Sequence, residues 1–290
     1  MKRYRIRFFN PEKAKRQLHV AATAVSCVRD PKINRARIAR TVEKVIQQHP
    51  ETELIVFGEM ILGWYDPAGS TDYHHQISES LPGETSEVFG KLSSRYKIFL
   101  SYGFSELASG KFYNTQVLLN PQGCIQAAHR KWNLKAAERN AGYLPGANPV
   151  TVTEINGIKT GMIICSDAAH PVTMRTLMRK RLDLILYSLA DDQDEKWFMA
   201  KANARLYDAW IVSANRYGYE NDYWNGHTII SDPLGNLRVT MLDQEGFAAY
   251  TLLFMEDRSS LHRTVSSTLV KIPLIWHLLR HWRILRSYYR

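Results

Sequence analysis

The chain of 290 residues contains no uninterrupted apolar run of about eighteen residues, so no membrane-spanning helix is expected. Its basic start is not followed by an apolar stretch and a small-residue cleavage site, so no signal peptide is expected either. Cysteine is scarce: Cys27, Cys124 and Cys165 are odd in number and widely spaced, which excludes a disulfide framework. There is no CxxC and no close Cys/His cluster, so neither a metal nor another cofactor is expected. A reducing cytoplasm is the expected compartment. Linkers, repeats and low-complexity stretches are absent up to about residue 257, and residues 258–290 contain no acidic side chain at all.

What is present suits a globular protein with a sizeable core: 45% hydrophobic and 23% charged residues. The net charge of +10 lies at the ends. Residues 1–20 carry Lys2, Arg3, Arg5, Arg7, Lys13, Lys15 and Arg16 against Glu12, and residues 258–290 carry seven cations with no acid. The body between them is mildly acidic. This distribution argues against a nucleic-acid partner but permits the termini to touch an anionic surface.

Apolar runs and breakers predict strands at 18–26, 53–57, 98–104, 112–119, 125–129, 150–154, 159–165, 184–188, 210–215, 227–232 and 247–253. Helical spacing predicts helices over 34–48, 86–96, 174–180 and 197–208. His49-Pro50 ends the first helix, and Asn156-Gly157 is a strong hairpin signal. Alternating strands and helices, interrupted by hairpins, predict an α/β domain with a mixed sheet and outer helices. The expected organisation is a basic N-terminal extension over 1–17, one catalytic domain over 18–257 and a basic tail over 258–290.

Three side chains follow apolar strands directly. Cys165 comes after Met162-Ile163-Ile164, where a nucleophile projects into a cleft and neighbouring N–H groups can bind an oxyanion. Glu59 follows 53–57 in the same manner and suits a general base whose pKa is raised by partial burial. Lys131 follows 125–129 and can stabilise negative charge. Each feature alone is commonplace: a buried cysteine, a loop acid, a basic turn.

In this order and spacing they resemble the nitrilase, or carbon–nitrogen hydrolase, superfamily. The matching segments are VFGEM at 56–60, HRKWNL at 129–134 and IICSD at 163–167. Supporting segments are Glu138 with GYLPG at 142–146, DLIL at 183–186, WNGHT at 224–228 and DPLG at 232–235. The resemblance runs from about Leu18 to about Phe254. It implies a four-layer α-β-β-α sandwich, commonly paired into homodimers or higher homo-oligomers. It also implies Glu59 as base, Lys131 as transition-state stabiliser, Cys165 as nucleophile and Glu138 as the carboxylate that holds the lysine. The backbone N–H of Ser166 would join the oxyanion hole. Tyr65, Trp132, Ser166 and Ser188 are expected to line the substrate site.

The expected reaction is hydrolysis of a non-peptide C–N bond of a small amide or carbamoyl compound through a Cys165 thioester. An acyltransferase passing the same thioester to an amine or alcohol, or a binding protein on the same fold, are alternatives. Gly58 stands where the pattern usually has proline. Ser166-Asp167 follows the cysteine where nitrile-cleaving members more often carry Trp-Glu, which favours amides. Ala168-Ala169-His170 supplies no arginine, so no clamp for a substrate carboxylate is evident.

In the tail, Leu274, Ile275, Leu278, Trp282, Leu285 and Tyr289 share one helical face, and Arg280, Arg283, Arg286 and Arg290 share another. This composition suits a peripheral membrane helix. It equally suits an arm packed on a neighbouring subunit.

Overall fold

The computed structural model describes residues 14–66, 69–192 and 196–255. The basic extremities, and with them both readings of the tail, lie outside the described residues.

Fourteen strands are linked into one sheet system built as two halves. In the first, β1 (Ala14–Val25), β2 (Leu54–Val56) and β4 (Phe99–Ala108) are parallel. The antiparallel β5 (Lys111–Leu119) and β6 (Ile125–Arg130) extend one side, and β14 (Gly246–Met255) the other. In the second, β8 (Ile158–Ile164), β9 (Leu184–Ser188) and β10 (Trp210–Tyr219) are parallel. They are flanked by antiparallel β7 (Thr151–Ile155) on one side and by β12 (Thr228–Ser231) with β13 (Leu237–Met241) on the other. The halves join where Ala24 and Val25 of β1 pair with Asn215 and Arg216 of β10.

The layers follow from the period of two along each parallel strand, which buries both faces. Val20, Ala22, Leu54 and Val56 face Leu184, Leu186, Val212 and Ala214 in a central core between the halves. The intervening Ala21, Ile55 and Phe57 turn outward onto Ile38, Val42 and Val45 of α1 (Pro31–Gln48) and Phe89 of α3 (Glu84–Tyr96). On the opposite side Ile163, Ile185 and Ile211 meet Leu177 of α5 (Pro171–Lys180) and Ala204 of α6 (Lys196–Tyr207). The result is the expected four-layer α-β-β-α sandwich. Each fully buried Leu, Ile or Phe stabilises it by about 1.5–3 kcal/mol.

Local chemistry sets the element ends. Asp30 caps α1 by accepting from the N–H of Lys32 (2.8 Å) and Ile33 (3.3 Å), and Pro31 occupies the first turn, so the helix starts before the predicted residue 34. Three short elements were absent from the sequence prediction: α2 (Thr71–Ile77), α4 (Ala136–Asn140) and β3 (Ser78–Glu79). β11 (Tyr223–Asn225) and β13 were also missed; their alternation is too short, or too polar, to register a period. No helix of the described residues is long and apolar enough to cross a membrane.

Candidate active site

The sequence-predicted residues converge at the ends of these strands, where ligands commonly bind in open α/β sheets. Glu59 and Lys131 are fully buried, Glu138 is 1% exposed and Cys165 3%. The Lys131 Nζ donates to Glu59 Oε1 at 2.8 Å and to Glu138 Oε1 at 2.9 Å. Glu138 sits in the first turn of α4, and its second oxygen accepts from the N–H of Lys135 at 2.8 Å, which fixes the carboxylate to the loop carrying the lysine.

Glu59 is held from two sides. Its Oε2 accepts from the N–H of Ala190 at 2.9 Å, and its own N–H donates to Leu189 O at 3.0 Å. The Cys165 thiol points to Ala190 O at 3.9 Å. A single residue past β9, Ala190, therefore meets the carboxylate at its N–H and the thiol at its carbonyl. Close packing of backbones requires glycine at two places. A Cβ on Gly58 would lie 3.0 Å from Asn215 C and Leu189 O. One on Gly103 of β4 would lie 2.7 Å from Gly58 O and 2.9 Å from Glu59 Cα.

Cys165 begins a 3₁₀ turn (Cys165–Ala169) and has φ +41°, a left-handed conformation that costs a non-glycine residue about 1–2 kcal/mol. The strain is held by neighbours. Tyr187 Oη donates to Cys165 O at 3.0 Å. Asp167, fully buried, accepts from Ile164 N–H (3.0 Å) and bonds His129 Nε2 (2.9 Å) through Oδ2, and accepts from Trp132 N–H (3.0 Å) and Asn133 N–H (2.7 Å) through Oδ1. One carboxylate thus ties the cysteine turn to the lysine loop. Asn133 Nδ2 adds a bond to Ser166 O at 2.8 Å, and Ser166 Oγ returns one to Asn133 O.

Electrostatics follow from burial. Burial pushes the Cys165 thiol up to about 12, with Glu59 adding to it and Lys131 and Lys135 opposing. Burial also raises Glu59 above the ordinary glutamate value, against the pull of Lys131. For Lys131 burial opposes the charge, but its neighbours, the Glu59 carboxylate first, outweigh it and hold its pKa well above the usual lysine value. A persistent cation, a carboxylate with raised basicity and a neutral thiol are what a proton transfer coupled to nucleophilic attack requires.

Sequence reasoning missed two groups. Asn114 of β5 donates through Nδ2 to Glu59 Oε1 (2.6 Å) and Glu138 Oε1 (2.9 Å), the same two oxygens that Lys131 binds. Arg216 of β10, fully buried, donates through Nη1 to Glu59 O (2.8 Å) and Met60 O (2.7 Å), through Nη2 to Gly63 O (2.6 Å), and through Nε to Glu220 Oε1 (2.9 Å). Nothing in the local sequence marks either; apart from Glu220, four residues after Arg216, their partners lie 24 to 157 residues away.

The expected substrate-lining residues fare differently. Tyr65 lies beside the site, with Lys131 Nζ 5.8 Å from its ring centroid. Trp132 packs edge-on against His170 at 4.5 Å, just past the cysteine turn. Ser166 follows Cys165 directly. Ser188 is buried at the end of β9 and its hydroxyl has no hydrogen-bond partner. Among the described residues no group of three or more His, Cys, Asp or Glu could hold a metal ion.

The comparisons with known proteins agree with this fold. A probable nitrilase of Schizosaccharomyces pombe is 28% identical over 236 residues, covering 77% of this chain and 84% of that protein. An (R)-stereoselective amidase of a Pseudomonas species is 27% identical over 207 residues, covering 69% and 73%. The crystal structure of Saccharomyces cerevisiae Nit3, described as a member of branch 10 of the nitrilase superfamily, superposes with a TM-score of 0.73 at 22% identity, covering 83% of this chain and 91% of that one. The sequence pattern that defines the carbon-nitrogen hydrolases matches residues 16–247, and the chain is an enzyme belonging to that family.

Proposed function

We propose that the enzyme hydrolyses a small carboxamide or carbamoyl compound through a thioester on Cys165. The observation that carries this reading is that one residue, Ala190, bonds Glu59 through its N–H and Cys165 through its carbonyl, beside a lysine held by two carboxylates.

The raised thiol pKa means that a free thiolate is not stored in the resting enzyme. Glu59, made more basic by burial, takes the proton as sulfur attacks the amide carbon. The carbonyl oxygen becomes an oxyanion. Lys131 and the Ser166 N–H stabilise it, and the left-handed turn at Cys165 orients that N–H. The tetrahedral intermediate collapses, the C–N bond breaks, and the proton taken by Glu59 goes to the leaving nitrogen. Water, deprotonated by Glu59, then attacks the thioester, and the acid leaves as the thiol recovers its proton. Glu138 and Asn114 keep Lys131 and Glu59 in register throughout. The serine after the cysteine and the Pseudomonas amidase relative both favour amides over nitriles.

The test is ammonia or amine release from primary amides, N-carbamoyl compounds and long-chain acyl amides, with wild type beside Cys165→Ala. Release by wild type alone is expected. Equal release by both proteins removes Cys165 from the reaction. Association into a homodimer and contact of the basic termini with an anionic membrane belong to the same proposal; sedimentation and liposome flotation read them directly.

A further inference from the structure

The aromatic cluster beside the site contains two buried donors with nothing to donate to. Tyr65 is 6% exposed and Trp224 of β11 5%. Their rings meet edge to face with centroids 5.8 Å apart. Tyr65 Oη and Trp224 Nε1 both have no hydrogen-bond partner. Leaving a buried donor unpaired is costly, and native proteins carry few of them. The other unpaired phenols, Tyr102 and Tyr207, belong to the outer cores under the helices. Tyr65 and Trp224 instead share a cluster with Met60, Leu134 and Ala190, each next to a residue of the site, and the Tyr65 ring lies 5.8 Å from the Lys131 ammonium.

Tyr65 is also held in place. Its N–H donates to Glu220 Oε2 at 2.7 Å, and the other oxygen of Glu220 accepts from Arg216, which grips the carbonyls of Glu59, Met60 and Gly63. The buried ion pair that fixes the general base therefore fixes this tyrosine as well. Burial keeps the phenol protonated, far above its ordinary pKa. A fixed O–H and a fixed indole N–H, which can only donate, make a ready-made receptor for an acceptor atom.

We infer that Tyr65 Oη and Trp224 Nε1 form a recognition subsite for an uncharged oxygen acceptor on the substrate, separate from the scissile carbonyl. Amides bearing a hydroxyl, keto or second carboxamide oxygen are then preferred over their hydrocarbon isosteres. The acceptor is uncharged because the pair sits in an apolar cluster whose one neighbouring ammonium, Lys131, is already held by Glu59 and Glu138. A carboxylate would lose its hydration there with no cation of its own to pair with. The inference rests on the proposed amide chemistry of the Cys165 site.

The test uses isosteric pairs: isobutyramide with lactamide, butyramide with 3-hydroxypropionamide, and 4-methylpentanamide with succinamide, plus succinamate as the charged probe. Wild type is expected to favour the acceptor-bearing member of at least one pair by about tenfold or more in kcat/KM. Tyr65→Phe and Trp224→Phe, checked for an unchanged circular dichroism spectrum, are each expected to bring that ratio towards one. No preference in any pair overturns the subsite, and so does a loss that is equal for both members of every pair. Preference for succinamate over succinamide overturns the uncharged acceptor. Binding is read separately, by thermal stabilisation of Cys165→Ala protein with the same amides and of Cys165→Ala/Tyr65→Phe protein beside it. A binding preference without hydrolysis by wild type refutes the proposed reaction and leaves the subsite standing; hydrolysis without any preference does the reverse.

Discussion

Two buried cations, Lys131 and Arg216, both bond Glu59, one at its carboxylate and the other at its backbone carbonyl, and differ in how fully the fold uses them. Both are fully buried. Arg216 has five N–H donors, and the carbonyls of Glu59, Met60 and Gly63 together with Glu220 accept from all of them. It is saturated and holds backbone. Lys131 has three donors, and two are used, both on carboxylates. Its third proton is uncommitted among the described residues, available to an oxyanion. The difference shows how a buried charge becomes structural or reactive: by whether its hydrogen-bonding capacity is exhausted by the fold.

Substitutions at each centre test that division. Lys131→Met removes the uncommitted proton and the charge, and kcat is expected to fall by at least about 10²–10³; a variant retaining a tenth of the wild-type rate would remove Lys131 from the transition state. Arg216→Met leaves Glu220 buried without its partner, and chemical denaturation is expected to show a loss of about 3–5 kcal/mol. Its effect on turnover in folded protein should be smaller than that of Lys131→Met. A folded Arg216→Met enzyme as inactive as the lysine variant would break the comparison.

Asp167→Asn puts an amide where four donors converge. A loss of about 1–3 kcal/mol and a ten- to hundredfold fall in kcat are expected, because the lysine loop and the cysteine turn lose their common anchor. Unchanged rates would mean that the two segments hold their geometry without it. The smallest effect concerns Cys27, whose thiol donates to Ile61 O at 3.3 Å next to the Arg216 clamp. Burial raises its pKa from 9.0 to about 12, so the folded state favours the neutral thiol. Its contribution to stability is complete below pH 9.0 and is lost as pH rises towards about 12. Cys27→Ser, which does not titrate there, should lose stability less steeply above pH 9 than wild type, by up to about 1.4 kcal/mol per pH unit. Parallel curves would show that Cys27 ionises as freely in the fold as out of it.

The fold and the candidate reactive groups were legible because their signals are local. Apolar runs such as 54–57 and 184–187 mark strands buried on both faces, the four layers were implied by the family resemblance, and Glu59, Lys131 and Cys165, each commonplace alone, stood out through their order and spacing. The supporting groups were not legible, because what makes Asn114, Arg216 or Asp167 special is the address of a partner far along the chain. Asp167 was in plain view inside IICSD, yet its four bonds reach back to His129, Trp132 and Asn133 as well as to Ile164. The unpaired donors of Tyr65 and Trp224 are invisible for a related reason: an absent partner leaves no mark on sequence.

The central claim is a covalent bond to Cys165. The most direct measurement is the mass of the enzyme quenched in acid during turnover of its best amide, followed by peptide mapping. The account predicts a mass increase equal to the acyl group on the peptide that contains Cys165, absent from Cys165→Ala protein along with turnover. Turnover that persists in Cys165→Ala, or an acyl group mapped to another residue, would contradict it.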